Sequence, residues 1–201
     1  SYPATWDLLE VVLDETTARA WVSIGPAGGS LTASTYSSGS FQVRNDSTEG
    51  QRLVRLDIDL ADAIFPDMVY DPFGLAGDTT AKPFSADAGA TETGQSTVTY
   101  LDEHDGGYDL LRVEFDDFDP GELFTFSIDV DPTSIQGVAP PGPGDSGSVS
   151  GLELAGARIV CEFDDGSIVV GQTFRNHNSV SESVATMRGG LAAAPQIQVL
   201  G

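Results

Sequence analysis

Two groups of carboxylates hold most of the chemistry this sequence could perform. In Asp102-Glu103-His104-Asp105-Gly106-Gly107-Tyr108-Asp109, four of the five acidic or basic partners are carboxylates set around a Gly-Gly turn, and the segment from Phe65 to Gly94 adds Asp67, Asp71 and Asp78. Carboxylate and carbonyl oxygens on loops are what Ca²⁺ takes, roughly six to eight of them at ~2.3–2.6 Å. The spacing is not that of an EF-hand, because His104 and Gly106 stand where that loop places Asp or Asn. The sequence therefore predicts bound Ca²⁺ held by residues among Asp67, Asp71, Asp78, Asp102, Asp105 and Asp109, and leaves open which segment holds it.

Aromatic residues in or beside the same segments suggest a second chemistry. Tyr70, Phe73 and Tyr108 could offer ring faces to the apolar face of a sugar, with Asp71 and His104 placed to bond its hydroxyls. Trp6 and Trp21 fall within strand patterns and are read as core.

Other reactive groupings are weaker. Gly144-Asp145-Ser146-Gly147 resembles the nucleophile segment of chymotrypsin-like serine proteases, yet His104 and His177 are the only histidines and neither stands in that family's context. A Gly/Ser turn is the reading taken. There is no phosphate loop, no His-Glu-x-x-His and no paired-cysteine motif. Glycoside hydrolysis needs two carboxylates roughly 5 to 9.5 Å apart, and with 31 acidic residues any pair could be nominated. A lyase needs basic neutralisers, which are scarce. Cys161, the sole cysteine, lies in an apolar strand pattern and is read as core, and Asn45-Asp46-Ser47 matches a glycosylation sequon.

Charge restricts the partners. Against 31 Asp and Glu stand 9 Lys and Arg, with Lys82 the only lysine, for a formal charge of -22 on 201 residues. Such a surface repels nucleic acid, anionic lipid and sulfated polymers, and leaves neutral polysaccharides, divalent cations and neighbouring domains as the expected partners. The excess of Asp over Glu and of Arg over Lys resembles proteins of marine or halophilic microbes. No run approaches the ~18 apolar residues of a membrane span.

The elements that must position these groups are strands. Apolar alternation or short apolar runs predict strands at Trp6 to Leu13, Arg19 to Ile24, Phe41 to Arg44, Leu53 to Leu60, Ser96 to Leu101, Tyr108 to Phe115 and Leu123 to Val130. Five more are predicted at Val149 to Leu154, Ala157 to Phe163, Ser167 to Val170, Ser183 to Met187 and Ile197 to Leu200. Twelve short strands spaced by turn formers predict an all-β fold, a two-sheet antiparallel β-sandwich or jelly roll. Phe65 to Gly94 reads as a long functional loop, Ala139 to Asp145 as a stiff loop and Phe174 to Glu182 as a polar loop. The alternation also sends Glu114, Asp116, Asp129 and Asp131 outward.

Gly39-Ser40-Phe41-Gln42-Val43-Arg44-Asn45, Val54 to Leu60, and Phe118-Asp119-Pro120-Gly121-Glu122 opening Phe124 to Asp129 resemble Ig-like and carbohydrate-binding β-sandwich modules appended to large secreted bacterial proteins. The resemblance implies an accessory module, residues 1–201 forming one sandwich cut from a longer secreted or cell-surface protein. The expected function is non-catalytic carbohydrate binding with Ca²⁺ as stabiliser. The alternatives are an adhesive or structural spacer and a small jelly-roll glycoside hydrolase or lyase.

Overall fold

In the computed structural model, residues 17–25, 34–138 and 149–188 are described. Strand alternation decides their architecture. In Arg55-Leu56-Asp57-Ile58-Asp59, Leu56 and Ile58 are fully buried while Arg55 and Asp59 are not, so one side of the strand faces the core. Repeating this pattern yields thirteen strands and a single 3₁₀ turn at Thr133–Ile135 among the described residues.

One sheet contains β1 (Arg19–Ile24), β2 (Phe41–Asn45), β5 (Ser85–Ala88), β8 (Leu123–Ser127), β12 (Phe174–Arg175) and β13 (Ser183–Arg188), in the order β12-β13-β1-β2-β8-β5. The other contains β3 (Leu53–Asp59), β4 (Met68–Tyr70), β6 (Gln95–His104), β7 (Gly107–Phe118), β9 (Val130–Pro132), β10 (Arg158–Phe163) and β11 (Ile168–Gln172). It runs β11-β10-β3-β7-β4-β9, with β6 also paired to β7. Every pairing is antiparallel. The fold is the all-β, two-sheet sandwich that the strand pattern predicted.

Phenylalanines join the two sheets. Phe41 stacks on Phe126 at 4.7 Å within one sheet, and Phe124 meets Phe115 of the other edge-on at 5.2 Å. Cys161 lies in the same core with no exposed surface, and burial followed by the charge of Asp57 pushes its thiol well above the ordinary range. That setting is inert. Each buried Phe, Leu or Ile contributes about 1.5–3 kcal/mol relative to exposure.

On the outer face of the second sheet, a charge ladder crosses three strands. Glu162 of β10 pairs with Arg55 of β3 at 2.6 Å, Arg55 approaches Asp57 at 3.7 Å, and Asp57 takes Arg112 of β7. On the first sheet, half-buried Trp21 lies under the Arg44 guanidinium, 5.0 Å from ring centre to charge. It packs on the outer face and is not core.

Several expected elements differ. Val149 to Leu154 is not a strand, since residues 151–156 form successive turns. Glu153 accepts both the N–H and the hydroxyl of Ser150 at 2.7 and 2.9 Å, and this local bonding competes with a ladder. Gly151 also sits against β1, where an added Cβ would lie 1.6 Å from the Ile24 carbonyl oxygen. The span from Phe65 to Gly94 contains β4 and β5 and is not one continuous loop. Leu123 to Val130 divides, β8 ending at Ser127 and β9 beginning at Val130, as the chain passes from one sheet to the other. Phe174 and Arg175 form β12 inside the third expected loop.

Asn45 is fully buried and its amide donates to the carbonyls of Gln51 and Phe118 at 2.8 and 2.9 Å, which makes it a structural residue and no glycan acceptor in the folded chain. The predicted strands at Trp6 to Leu13 and Ile197 to Leu200, the Ala139 to Asp145 loop and the Ser146 segment lie outside the described residues.

Candidate ligand site

The β6–β7 hairpin closes on two residues. His104 and Gly107 are paired across it, and Asp105 and Gly106 both have positive φ, 48° and 94°. An Asp-Gly pair with that backbone makes the type I′ turn whose twist suits a hairpin. Asp105 is therefore a turn former. His104 Nδ1–H donates to Asp109 Oδ1 at 3.0 Å, and this hydrogen bond, helped by the charges of Asp109, Asp105 and Asp67, raises the imidazole pKa against a lesser desolvation.

Gln136 ties this tip to the Asp71 segment. Its amide donates to the Leu75 carbonyl at 2.9 Å and to the Asp105 carbonyl at 3.1 Å. The two acidic segments, some thirty residues apart in sequence, are thus neighbours in space.

Phe73 of the one segment and Tyr108 of the other join Tyr100 in a row of three rings. Phe73 meets Tyr100 edge-on at 6.1 Å, and Tyr100 stacks on Tyr108 at 5.4 Å with 28° between the planes. Phe73 is 51% exposed, and Tyr100 and Tyr108 are half-buried. The Tyr100 hydroxyl accepts the Phe84 N–H at 3.1 Å, which fixes the middle ring. Sequence reasoning missed Tyr100. It belongs to a predicted strand, and only the pairing of β6 with β7 brings it beside Tyr108.

Two nominated residues cannot meet a ligand at the surface. Tyr70 is fully buried in β4 and its hydroxyl donates to the Ile58 carbonyl at 3.3 Å. Its ring is core because β4 pairs with both β7 and β9. Asp71 is also fully buried, and its carboxylate accepts the N–H groups of Leu75, Ala76 and Gly77 at 2.8, 2.9 and 2.8 Å. It shapes the loop that presents Phe73.

Asp129 and Asp131, read as outward-facing, are buried at 6% and 2% exposure. Every residue from Phe126 to Asp131 is buried, so the passage from β8 to β9 has no outward face for these carboxylates to take. Asp78 donates its N–H to Asp131 Oδ2 at 3.0 Å, and Asp71 donates its N–H to the Asp129 carbonyl at 3.0 Å. Burial, then the charges of Asp131, Asp78 and Asp71, raise the Asp129 pKa to about 8 against the opposing charge of Lys82. Burial and the charge of Asp78 raise Asp131 to about 7, against the Asp78 N–H and with a further push from Asp71.

As the side chains stand, no group of three or more His, Cys, Asp or Glu among the described residues is gathered to hold a metal ion. Asp102, with φ of 57°, and Asp67, with φ of 64°, both adopt the left-handed backbone that Asp tolerates in turns. Among the described residues no helix is long and apolar enough to cross a membrane.

Compared with known proteins, the chain matches no family model, no curated protein and no solved structure.

Proposed function

We propose that this chain is a non-catalytic carbohydrate-binding module that takes a neutral polysaccharide or oligosaccharide on the Phe73-Tyr100-Tyr108 row. The observation that carries this reading is Phe73, a half-exposed ring at the end of a braced aromatic row. An exposed aromatic face matches the apolar face of a pyranose, and the neighbouring polar tip supplies partners for its hydroxyls. His104 and Asp109, both on that tip, fill this role in place of buried Asp71. The formal charge of -22 favours uncharged sugars.

The setting we infer is a secreted or cell-surface protein of a marine or halophilic bacterium in which this module accompanies other domains, with Ca²⁺ as stabiliser. Affinity electrophoresis through a panel of neutral polysaccharides tests the sugar reading. Retardation of the wild type that disappears in Phe73→Ala and weakens in Tyr108→Ala supports it. A wild type that migrates freely through every gel leaves the spacer reading, and release of reducing ends or unsaturated products replaces both with an enzyme.

A further inference from the structure

We propose that β11 is an interface between two copies of this chain, the open edge of one pairing antiparallel with the open edge of the other about a two-fold axis at Val170. The inference is independent of the sugar reading. Among the described residues β11 pairs with β10 alone and ends its sheet. The Phe163 N–H donates to the Ser167 carbonyl and the Thr173 N–H to the Ala157 carbonyl, both at 2.9 Å. That register makes the odd-numbered residues of β11 the ones bonded to β10, so the N–H and C=O groups of Ile168, Val170 and Gln172 point to the open edge.

Exposed sheet edges are ordinarily guarded by charge, proline or bulges. At the far ends of the two sheets, β5 carries Asp87 and a register shift between Ala86 and Ala88, and β9 contains Pro132. β11 has none of these guards. Its register against β10 is unbroken, and Ile168 and Val170 are each 52% exposed. Val160 lies beside Val170 in register, so the edge offers an apolar strip as well as backbone groups.

Charge selects a second copy laid antiparallel. No acidic residue stands from Gly166 to Ser181 in a chain with 31 of them, so two molecules of net charge -22 can approach on this ground. Asp165 and Arg175 lie equally far from Val170 along the chain, on opposite sides, and both are exposed. Asp165 sits in the β10–β11 turn, where its carboxylate accepts the Ser167 N–H at 2.8 Å, and Arg175 in β12 forms no ion pair with a described residue. With Val170 opposite Val170 of the second copy, Ile168 meets Gln172, and each Arg175 is carried toward the Asp165 turn of the other copy. A parallel arrangement would instead bring Arg175 against Arg175. One short strand per copy buries less than the ~1,200 Å² of a stable interface, so the association is weak and reversible.

The test is sedimentation velocity of the 201-residue chain from about 10 µM to about 1 mM in about 0.15 M NaCl, joined to amide hydrogen exchange at both ends of that range. A reversible monomer–dimer equilibrium is expected. Protection of the Val170 and Gln172 N–H groups should rise with concentration, while Val169 and Gly171, bonded to β10, stay protected throughout. Val170→Lys, which sets two ammonium groups together at the axis, should weaken dimerisation at least about tenfold without changing the melting temperature of the monomer. Arg175→Asp should also weaken it, and Asp165→Arg combined with Arg175→Asp in one chain should restore it, because the antiparallel register exchanges these two ends. Should Asp165→Arg disturb its turn, the exchange pattern and Val170→Lys decide the matter. A chain that stays monomeric to about 1 mM, a dimer indifferent to Val170→Lys, or Val170 protection independent of concentration overturns the proposal.

Discussion

Asp57 and Arg112 face each other in register across β3 and β7, and their side chains close a two-toothed ion pair with both bonds at 2.8 Å. Asp57 is nearly buried beneath the guanidinium. The hydrogen bond to Asp57, followed by its charge and those of Glu114 and Glu162, raises the Arg112 pKa against desolvation. Truncating one partner leaves the other partly desolvated and unmatched. Asp57→Ala is expected to cost about 1–3 kcal/mol in urea unfolding, and Arg112→Lys to recover only part of the loss of Arg112→Ala, because an ammonium lacks the planar fork. Equal stability of Arg112→Lys and wild type would sink the bidentate account.

Tyr70 and Phe73 are three residues apart and should behave oppositely. Tyr70→Ala opens a cavity in the core and is expected to cost about 3–5 kcal/mol, while Tyr70→Phe loses one hydrogen bond and costs about 1 kcal/mol. Phe73→Ala removes a half-exposed ring and should change stability by no more than about 1 kcal/mol. Thermal unfolding of the three variants, set beside polysaccharide retention, separates core from ligand surface. A Phe73→Ala variant as unstable as Tyr70→Ala contradicts this assignment.

The β8–β9 crossing predicts a pH profile. Asp129 and Asp131 hold protons in the folded chain up to about 8 and about 7, whereas unfolded carboxyls lose theirs near 4. Between these limits the native state binds more protons than the unfolded state, so unfolding free energy must fall as pH rises. The slope is at most about 1.4 kcal/mol per pH unit for each carboxyl and vanishes above the folded pKa values. In EDTA, stability should therefore decline from about pH 4 to about pH 8, and Asp129→Asn should exceed the wild type at pH 8. Urea unfolding across that range checks it, and a wild type equally stable at both ends removes the buried acids as the cause.

How much of this could be read from the residues depends on whether neighbours in sequence set the outcome. Leu56 and Ile58 alternate with Arg55, Asp57 and Asp59 because apolar and polar residues sort to the two faces of one strand locally, Asp57 then being covered by Arg112. Asp129 and Asp131 look the same on paper, but the passage between sheets covers both faces of the chain from Phe126 to Asp131, and only the tertiary path reveals it. Tyr70 directly precedes the turn formers Asp71-Pro72 and resembles a loop aromatic, yet pairing with β7 and β9 takes it into the core. The hairpin was visible in its glycines, whereas its adjacency to the Asp71 loop rests on Gln136, sixty residues beyond the latter. The Val149 segment failed because Ser150 and Glu153 bond to each other locally.

Salt should stabilise the chain. Its net charge of -22 is balanced locally by few cations, several of which are already engaged in ion pairs with Asp or Glu. Screening shortens the range of repulsion from ~10 Å at 0.1 M to ~3 Å at 1 M and weakens exposed pairs at the same time. With so large an excess of one sign the repulsion outweighs the pairs, and the melting temperature should rise with NaCl. A flat or falling melting temperature would show that local pairs govern the electrostatics.

Cys161 sits at the centre of β10, opposite Leu56 on one side and Val169 on the other. Since it is the sole thiol and has no exposed surface, a maleimide can reach it only after these strands separate. The chain thereby contains its own reporter of opening. Labelling rates measured against denaturant would read the local opening free energy of the second sheet from a single atom, without any introduced probe.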